Sequence, residues 1–252
     1  RPATRRALAH FIVNRPQTRF FDLGLDPQAV ISEIVASPPT LGSAVGAVFR
    51  AYSERFGKPR WGDKRPAYVN NLDVIRRLFP DAQIIHIVRD GRDCVASLQE
   101  TPWHRQGIYH SIAAWAQAVD NARLARRRLP ADTFYELRYE DLVADPEREL
   151  AALCHFLGEE YDPAMVRPAD VAPIVPDYKT WHERPVDGSR VGDWRNRLTE
   201  TEAALCEVLL ADRLSEYGYD VSGEGRIKPA DRLRYERIIA RHRLARPKRA
   251  LA

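Results

Sequence analysis

Arg89 and Ser97 are the first residues whose types and spacing suggest chemistry. Arg89 closes the apolar run Gln83-Ile84-Ile85-His86-Ile87-Val88, and Ser97 follows inside the next helical stretch. A guanidinium offers paired charged donors and a serine adds a hydroxyl, so the two can converge on one dianionic group. A helix beginning near Arg92 or Asp93 adds backbone N–H groups and a favourable dipole. Asp63 and Lys64, in Gly62-Asp63-Lys64-Arg65-Pro66, set a carboxylate beside an ammonium. That is what a general base next to a charge stabiliser requires. Tyr139, in Tyr139-Glu140-Asp141-Leu142, can stack on a ligand or hydrogen-bond to it. Taken singly, each group also fits an ordinary surface: an exposed arginine, neighbouring opposite charges, a half-buried edge tyrosine. The seven histidines and three cysteines are scattered and have no zinc-ligand spacing, so no metal is expected.

The elements that must hold these residues follow from periodicity. Gln83 to Val88 is short, apolar and β-branched, and predicts a buried parallel strand. Arg89-Asp90-Gly91 then turns the chain into a helix. A strand, a tight turn and a helix place a site at the carboxyl edge of an α/β sheet. Ile108 to Leu129 predicts a long helix with Ile112, Trp115, Val119 and Leu124 on one side. Thr133 to Tyr139 predicts a strand. Asp145-Pro146 predicts a helix start, and Gly158 its stop. Thr199-Glu200-Thr201-Glu202 is a capping box for a helix reaching about Tyr217. Upstream, Arg5–Val13, Gln28–Val35 and Leu41–Phe56 carry apolar residues at helical spacing. Val69 to Phe79 predicts a further short helix, stopped by Pro80.

Composition bounds the whole. The 252 residues are 44% hydrophobic and 29% charged, which supports a buried core and rules out wholesale disorder. No apolar run approaches a membrane span. Three well-separated cysteines argue against a disulfide framework and fit a cytoplasmic location. Net charge is +4, yet Arg226–Ala252 holds ten Arg or Lys against two acidic residues. The remainder is therefore net negative, which argues against nucleic acid as the main partner. Arg greatly outnumbers Lys, a bias that suits bidentate anion recognition or reflects genome composition.

The segments say more together than apart. Gly62-Asp63-Lys64-Arg65-Pro66-x-Tyr68 is followed by Phe79-Pro80-Asp81-Ala82 and then by Arg89-Asp90-Gly91-Arg92-Asp93-x-x-x-Ser97. Arg138-Tyr139-Glu140-Asp141-Leu142-x-x-Asp145-Pro146 comes next, then Gly188-Ser189-Arg190-Val191-Gly192-Asp193-Trp194-Arg195 and Tyr217-Gly218-Tyr219. This order resembles the sulfotransferases that use 3′-phosphoadenosine 5′-phosphosulfate (PAPS), in particular the bacterial branch related to protein-tyrosine and heparan sulfotransferases. The resemblance covers about residues 61–220. It implies an α/β fold, a P-loop-like parallel sheet flanked by helices, with a helical N-terminal insert.

The resemblance also implies roles. Arg89 and Ser97 match the pair that grips the donor's 3′-phosphate, Tyr139 a tyrosine near the donor, and Arg190 a basic loop over the nucleotide. Asp63 falls where heparan-type relatives carry a catalytic Glu, and Lys64 matches the lysine beside it. Asp63 is one methylene shorter than that Glu, and Arg65 replaces a small hydroxyl residue. The family's Gly/Ser/Thr-rich 5′-phosphosulfate loop is not found; Gly42-Ser43-Ala44 comes nearest but follows no predicted strand. The expectation is that the N-terminal strand and its loop are missing from this chain.

The implied organisation is a helical insert over 1–60, a core over 61–225 and a basic helix or tail over 226–252. The implied reaction moves a sulfuryl group from PAPS to an acceptor hydroxyl of a carbohydrate, lipid or small metabolite, without a metal. Two rivals remain: a P-loop-type kinase, and a non-catalytic protein whose basic tail, with Leu233, Ile238, Ile239 and Leu244, lies on a membrane surface. Tyr178, Trp181 and His182 are candidate acceptor-pocket residues.

Overall fold

A computed structural model describes residues 2–101, 104–167, 188–223 and 225–244. The chain divides into two compact units, Arg1–Ala82 and Gln83–Ala252.

Helices α1 (Pro2–Asn14), α2 (Pro27–Ala36) and α3 (Leu41–Arg55) build the first unit. Asp26 caps α2 by accepting from the Gln28 and Ala29 N–H groups, and Pro27 fills the first helical position, where no N–H is needed. Thr40 caps α3 through the Ser43 N–H. Val13, Phe20, Ile34, Ala44, Ala47 and neighbouring residues close the core. Of the apolar residues of α1, Ala9 and Val13 are buried and Phe11 is exposed. The aromatic face of α3 is put to a different use: Phe49 stacks on Trp61 at 4.5 Å between ring centres. A 3-10 turn (Pro66–Asn70) leads into α4 (Leu72–Leu78). Among the described residues no strand precedes residue 84.

The second unit is built on strands β1 (Ile84–Val88) and β2 (Phe134–Arg138) and on helices α5 (Gly91–Gln99), α6 (Ile108–Arg128), α7 (Tyr139–Ala144) and α8 (Pro146–Leu157). Among the described residues three more helices follow: α9 (Trp194–Arg197), α10 (Glu200–Glu216) and α11 (Pro229–Leu244). The strands pair in parallel, with Ile84 opposite Phe134 and Val88 opposite Arg138. The parallel pairing agrees with expectation, but full burial does not: Ile85 and Ile87 are 40% and 53% exposed. The sheet has two strands among the described residues, so one face of β1 lacks a covering layer there.

Val88, Val95, Ile112, Trp115, Leu210 and Leu214 form the centre of this unit's core. Gly91 is required by close packing: a Cβ there would lie 2.9 Å from the Trp115 ring and 3.0 Å from Leu210. Thr199 and Glu202 complete the expected capping box on α10. Asp145 caps α8, Pro146 opens it, and Gly158 closes it at φ 71°. The basic C-terminal segment begins as α11, packed on α6. Tyr235, Ile238 and Ile239 are buried there, whereas Leu233 and Leu244 are exposed. Half of the apolar stripe anticipated for a membrane is thus spent on the protein's own core.

Candidate functional site

The register of the sheet positions the site in the second unit. Val88 pairs with Arg138, so Arg89 and Tyr139 are the next residues at the carboxyl end of two adjacent parallel strands. The Arg89 guanidinium lies over the Tyr139 ring, 4.7 Å from its centre. Such a contact contributes about 0.5–2 kcal/mol and fixes the plane of the guanidinium. Arg89 Nη2 also donates to the main-chain carbonyl of Arg190. Trp115 on α6 holds the turn by donating its indole N–H to the Arg89 carbonyl at 3.0 Å.

Three of the sequence-derived residues therefore meet: Arg89, Tyr139 and Arg190. Arg190 contributes its carbonyl to this contact, whereas the charge of its guanidinium is felt at Glu100. Ser97 lies on α5 one turn beyond Asp93, on the same helical face. Its hydroxyl makes no hydrogen bond among the described residues, and its carbonyl accepts from Thr101 Oγ1 at 2.9 Å.

The first turn of α5 differs from expectation. Asp90 is its N-cap and accepts from the Arg92 N–H, while the Asp90 N–H donates to Glu140 at 3.0 Å. The Arg92 N–H is thus satisfied from within the protein, and the positive side chains at this helix end are Arg89 and Arg92.

Sequence reasoning assigned no role to the groups that hold the cluster in place. Asp93 is fully buried, and its carboxylate accepts from the Gly192 N–H at 2.9 Å and the Trp194 N–H at 2.8 Å. Arg89 stands 3.4 Å from the same carboxylate. Glu140 accepts from the Tyr219 hydroxyl at 2.8 Å. Burial first, then the Glu140 charge and hydrogen bond, push the Tyr219 pKa upward, so Tyr219 remains a donor. Arg92, nearly fully buried, bridges Asp90 at 2.8 Å and Glu207 at 2.7 Å and covers the Trp194 ring at 4.4 Å. The one available signal is that Asp93, Glu140, Trp194 and Tyr219 fall inside the quoted segments; which donor each meets depends on tertiary pairing.

Asp63 and Lys64 belong to the first unit. Trp61, stacked on Phe49 and edge-on to Phe79 at 5.3 Å, anchors their loop two residues upstream. The Tyr68 hydroxyl donates to Asp63 Oδ2, and Arg65 stands 4.0 Å from the same oxygen. Burial, reinforced by the Asp63 hydrogen bond, pushes the Tyr68 pKa up to about 12. Tyr68 therefore stays protonated and holds one carboxylate oxygen, leaving Oδ1 without a partner among the described residues. Lys64 is exposed. Tyr178, Trp181 and His182 lie outside the described residues.

Thiol chemistry has no support at either Cys94 or Cys206, since burial pushes both pKa values up to about 12 and keeps them protonated. No group of three metal-ligating side chains occurs among the described residues.

Comparison with known proteins supplies the class. Residues 13–163 match the model of the Sulfotransferase family, and the chain belongs to that family. It is 26% identical over 182 residues to omega-hydroxy-beta-dihydromenaquinone-9 sulfotransferase Stf3 of Mycobacterium bovis, covering 66% of this chain and 44% of that one. It is 29% identical over 205 residues to the nodulation protein NoeE of Sinorhizobium fredii, covering 70% and 48%. Protein-tyrosine sulfotransferase 1 of Danio rerio is 27% identical over 149 residues, covering 56% and 40%. The chain thus spans less than half the length of these curated relatives. In fold it is similar to the sulfotransferase domain of the Synechococcus PCC 7002 olefin synthase, with a TM-score of 0.60, 23% identity, and 80% and 74% of the two chains covered. The sulfotransferase domain of the curacin biosynthetic pathway aligns with a TM-score of 0.56 and 18% identity, covering 85% and 79%. The expected α/β class agrees with these neighbours.

Proposed function

We propose that this chain transfers a sulfuryl group from PAPS to an acceptor hydroxyl. The observation that carries the reading is the convergence of Arg89, Tyr139 and the 188–194 loop at the carboxyl end of two parallel strands, in a chain of the Sulfotransferase family. Arg89 Nε is buried and has no hydrogen-bond partner among the described residues. An orphaned charged donor of this kind is costly unless an anion meets it, which fits the 3′-phosphate of the donor. Ser97 brings a second free donor on the face of α5 beyond Asp93. Tyr139 backs the guanidinium and fixes its plane.

Sulfuryl transfer resembles phosphoryl transfer physically, so the protein's task is alignment and charge stabilisation. In this reading Asp63 Oδ1 takes the proton of the acceptor hydroxyl, while Tyr68 holds Oδ2 and orients the carboxylate. Lys64 takes the role of the cation that offsets the negative charge developing on the leaving phosphate, as the family resemblance implies. No metal is invoked in any of these roles.

The acceptor class stays broad: a carbohydrate, lipid or small-metabolite hydroxyl. The relatives include an omega-hydroxy-beta-dihydromenaquinone-9 sulfotransferase and a protein-tyrosine sulfotransferase, so both lipid and phenolic hydroxyls belong in a test panel. No helix of the described residues is long and apolar enough to cross a membrane. We propose peripheral contact through the outer face of α11, where Arg237 and Arg241 accompany the exposed Leu233 and Leu244.

The test is nucleotide turnover with sugar, long-chain and phenolic alcohols. Release of adenosine 3′,5′-bisphosphate from PAPS is expected. Consumption of ATP with magnesium, and none of PAPS, would contradict the reading and favour a kinase.

A further inference from the structure

Asp93 is a charged group with no exposure at all, in a position where burial is expensive unless every lone pair finds a donor. Its donors come from two places. The Gly192 N–H (2.9 Å, to Oδ2) and the Trp194 N–H (2.8 Å, to Oδ1) belong to the loop that carries Arg190. The guanidinium of Arg89, 3.4 Å from Oδ2, belongs to the turn after β1. Arg89 in turn donates to the Arg190 carbonyl. A closed circuit results: carboxylate to loop, loop carbonyl to guanidinium, guanidinium to carboxylate. The circuit lies within the second unit, and Trp194 is locked in it between Arg92 at 4.4 Å and Arg195 at 4.5 Å.

We infer that Asp93 is the positioning residue of the donor site: it holds the 188–194 loop and Arg89 in one arrangement, so that recognition of a 3′-phosphate depends on a side chain that never touches it. The inference rests on the sulfotransferase reading above. Two effects of Asp93 on anion binding oppose each other, and this makes the role testable. A negative charge beside the guanidinium, considered alone, weakens the attraction of Arg89 for a phosphate. Its loss would tighten anion binding. A carboxylate that sets the geometry does the reverse, and its loss weakens binding.

Asp93→Asn keeps the shape and removes the charge. One carboxylate oxygen becomes an NH₂ that faces a backbone N–H, so one loop contact is broken. The measurement is calorimetric affinity for adenosine 3′,5′-bisphosphate and for 5′-AMP, in wild type and variant. Wild type is expected to favour the bisphosphate. In Asp93→Asn that preference should fall at least about tenfold, the size of one lost charge-assisted hydrogen bond, while 5′-AMP affinity holds. An unchanged or increased preference in a folded variant overturns the inference, because a merely structural or merely electrostatic carboxylate gives one of those results. Equal affinity of wild type for the two nucleotides overturns the sulfotransferase reading itself, and the inference with it. Should Asp93→Asn not fold, Gly192→Ala disturbs the same contact from the loop side. Gly192 has φ 73°, and a Cβ there would lie 2.8 Å from Arg195 Nη1. The same fall in preference is expected, and its absence is equally fatal.

Discussion

Asp63 illustrates what a single residue can be asked to do. Its carboxylate is tied at one oxygen by Tyr68 and open at the other. A general base needs that: one oxygen to fix its direction and one to receive the proton. Asp63→Ala should lower kcat by about 10²–10⁴, the usual size of general-base catalysis, with donor affinity preserved; near-normal turnover would remove Asp63 from the chemistry. At this scale the sequence was readable where residue type alone limits the role. Arg89, Tyr139 and Arg190 were named from their order in the chain, and the three prove to be neighbours. Asp93, Glu140 and Tyr219 were not, because a carboxylate's partner depends on which backbone N–H or hydroxyl folding brings to it. The pairs Asp93 with Gly192 and Glu140 with Tyr219 are each separated by a long stretch of chain.

Elements were more legible than contacts. Asp145-Pro146 and the Thr199–Glu202 box mark their helix starts in sequence, and each does so through a side chain that accepts from a first-turn N–H. The apolar spacing of α1 and α3 does not say which of those residues is buried: Phe11 is exposed, smaller residues pack in the core, and Phe49 serves the Trp61 loop. Likewise β1 is β-branched at every position but His86, yet only half-buried, because a neighbouring layer decides burial and the strand's own residues do not.

The strand register also builds a polar pair that affects stability. His86 stands opposite Glu136, with its Nδ1 3.0 Å from the carboxylate, and Arg126 and Tyr217 complete the carboxylate's surroundings at 2.8 and 2.9 Å. Burial alone would raise the Glu136 pKa, but the hydrogen bonds from His86 and Tyr217 and the nearby positive charge outweigh it, and the net shift is downward. The folded protein therefore binds this proton more weakly than the unfolded chain. The stabilisation is complete above the ordinary glutamate pKa of about 4.3 and is lost as pH falls through the lower, folded value. The melting temperature should drop on acidification below about pH 5, and Glu136→Gln should flatten that drop while lowering stability at neutral pH. An identical acid profile in the variant would assign the acid sensitivity elsewhere.

The molecule as a whole is a pair of compact units with its charge gathered at one end of the sequence. The excess of arginine in the last segment was visible from composition, but the fate of its apolar residues was not. Ile238 and Ile239 face α6, so α11 is a structural helix first, and its outer face is what can meet an anionic surface. Binding to vesicles containing anionic phospholipid should weaken with added salt and fall in the double variant Arg237→Glu, Arg241→Glu, with the fold retained. Salt-insensitive binding, or none, would confine α11 to its structural task.

The central claim is that the cluster around Arg89 holds the 3′-phosphate of an adenosine nucleotide. Thermal stabilisation by adenosine 3′,5′-bisphosphate, against 5′-AMP and against ATP with magnesium, tests it in wild type and Arg89→Ala. A ligand at 100 times its Kd adds about 2.7 kcal/mol, an easily visible shift in melting temperature. The prediction is stabilisation of wild type by the bisphosphate, little by the other two, and loss of the effect in Arg89→Ala. Equal stabilisation of wild type and Arg89→Ala by the bisphosphate would contradict the claim.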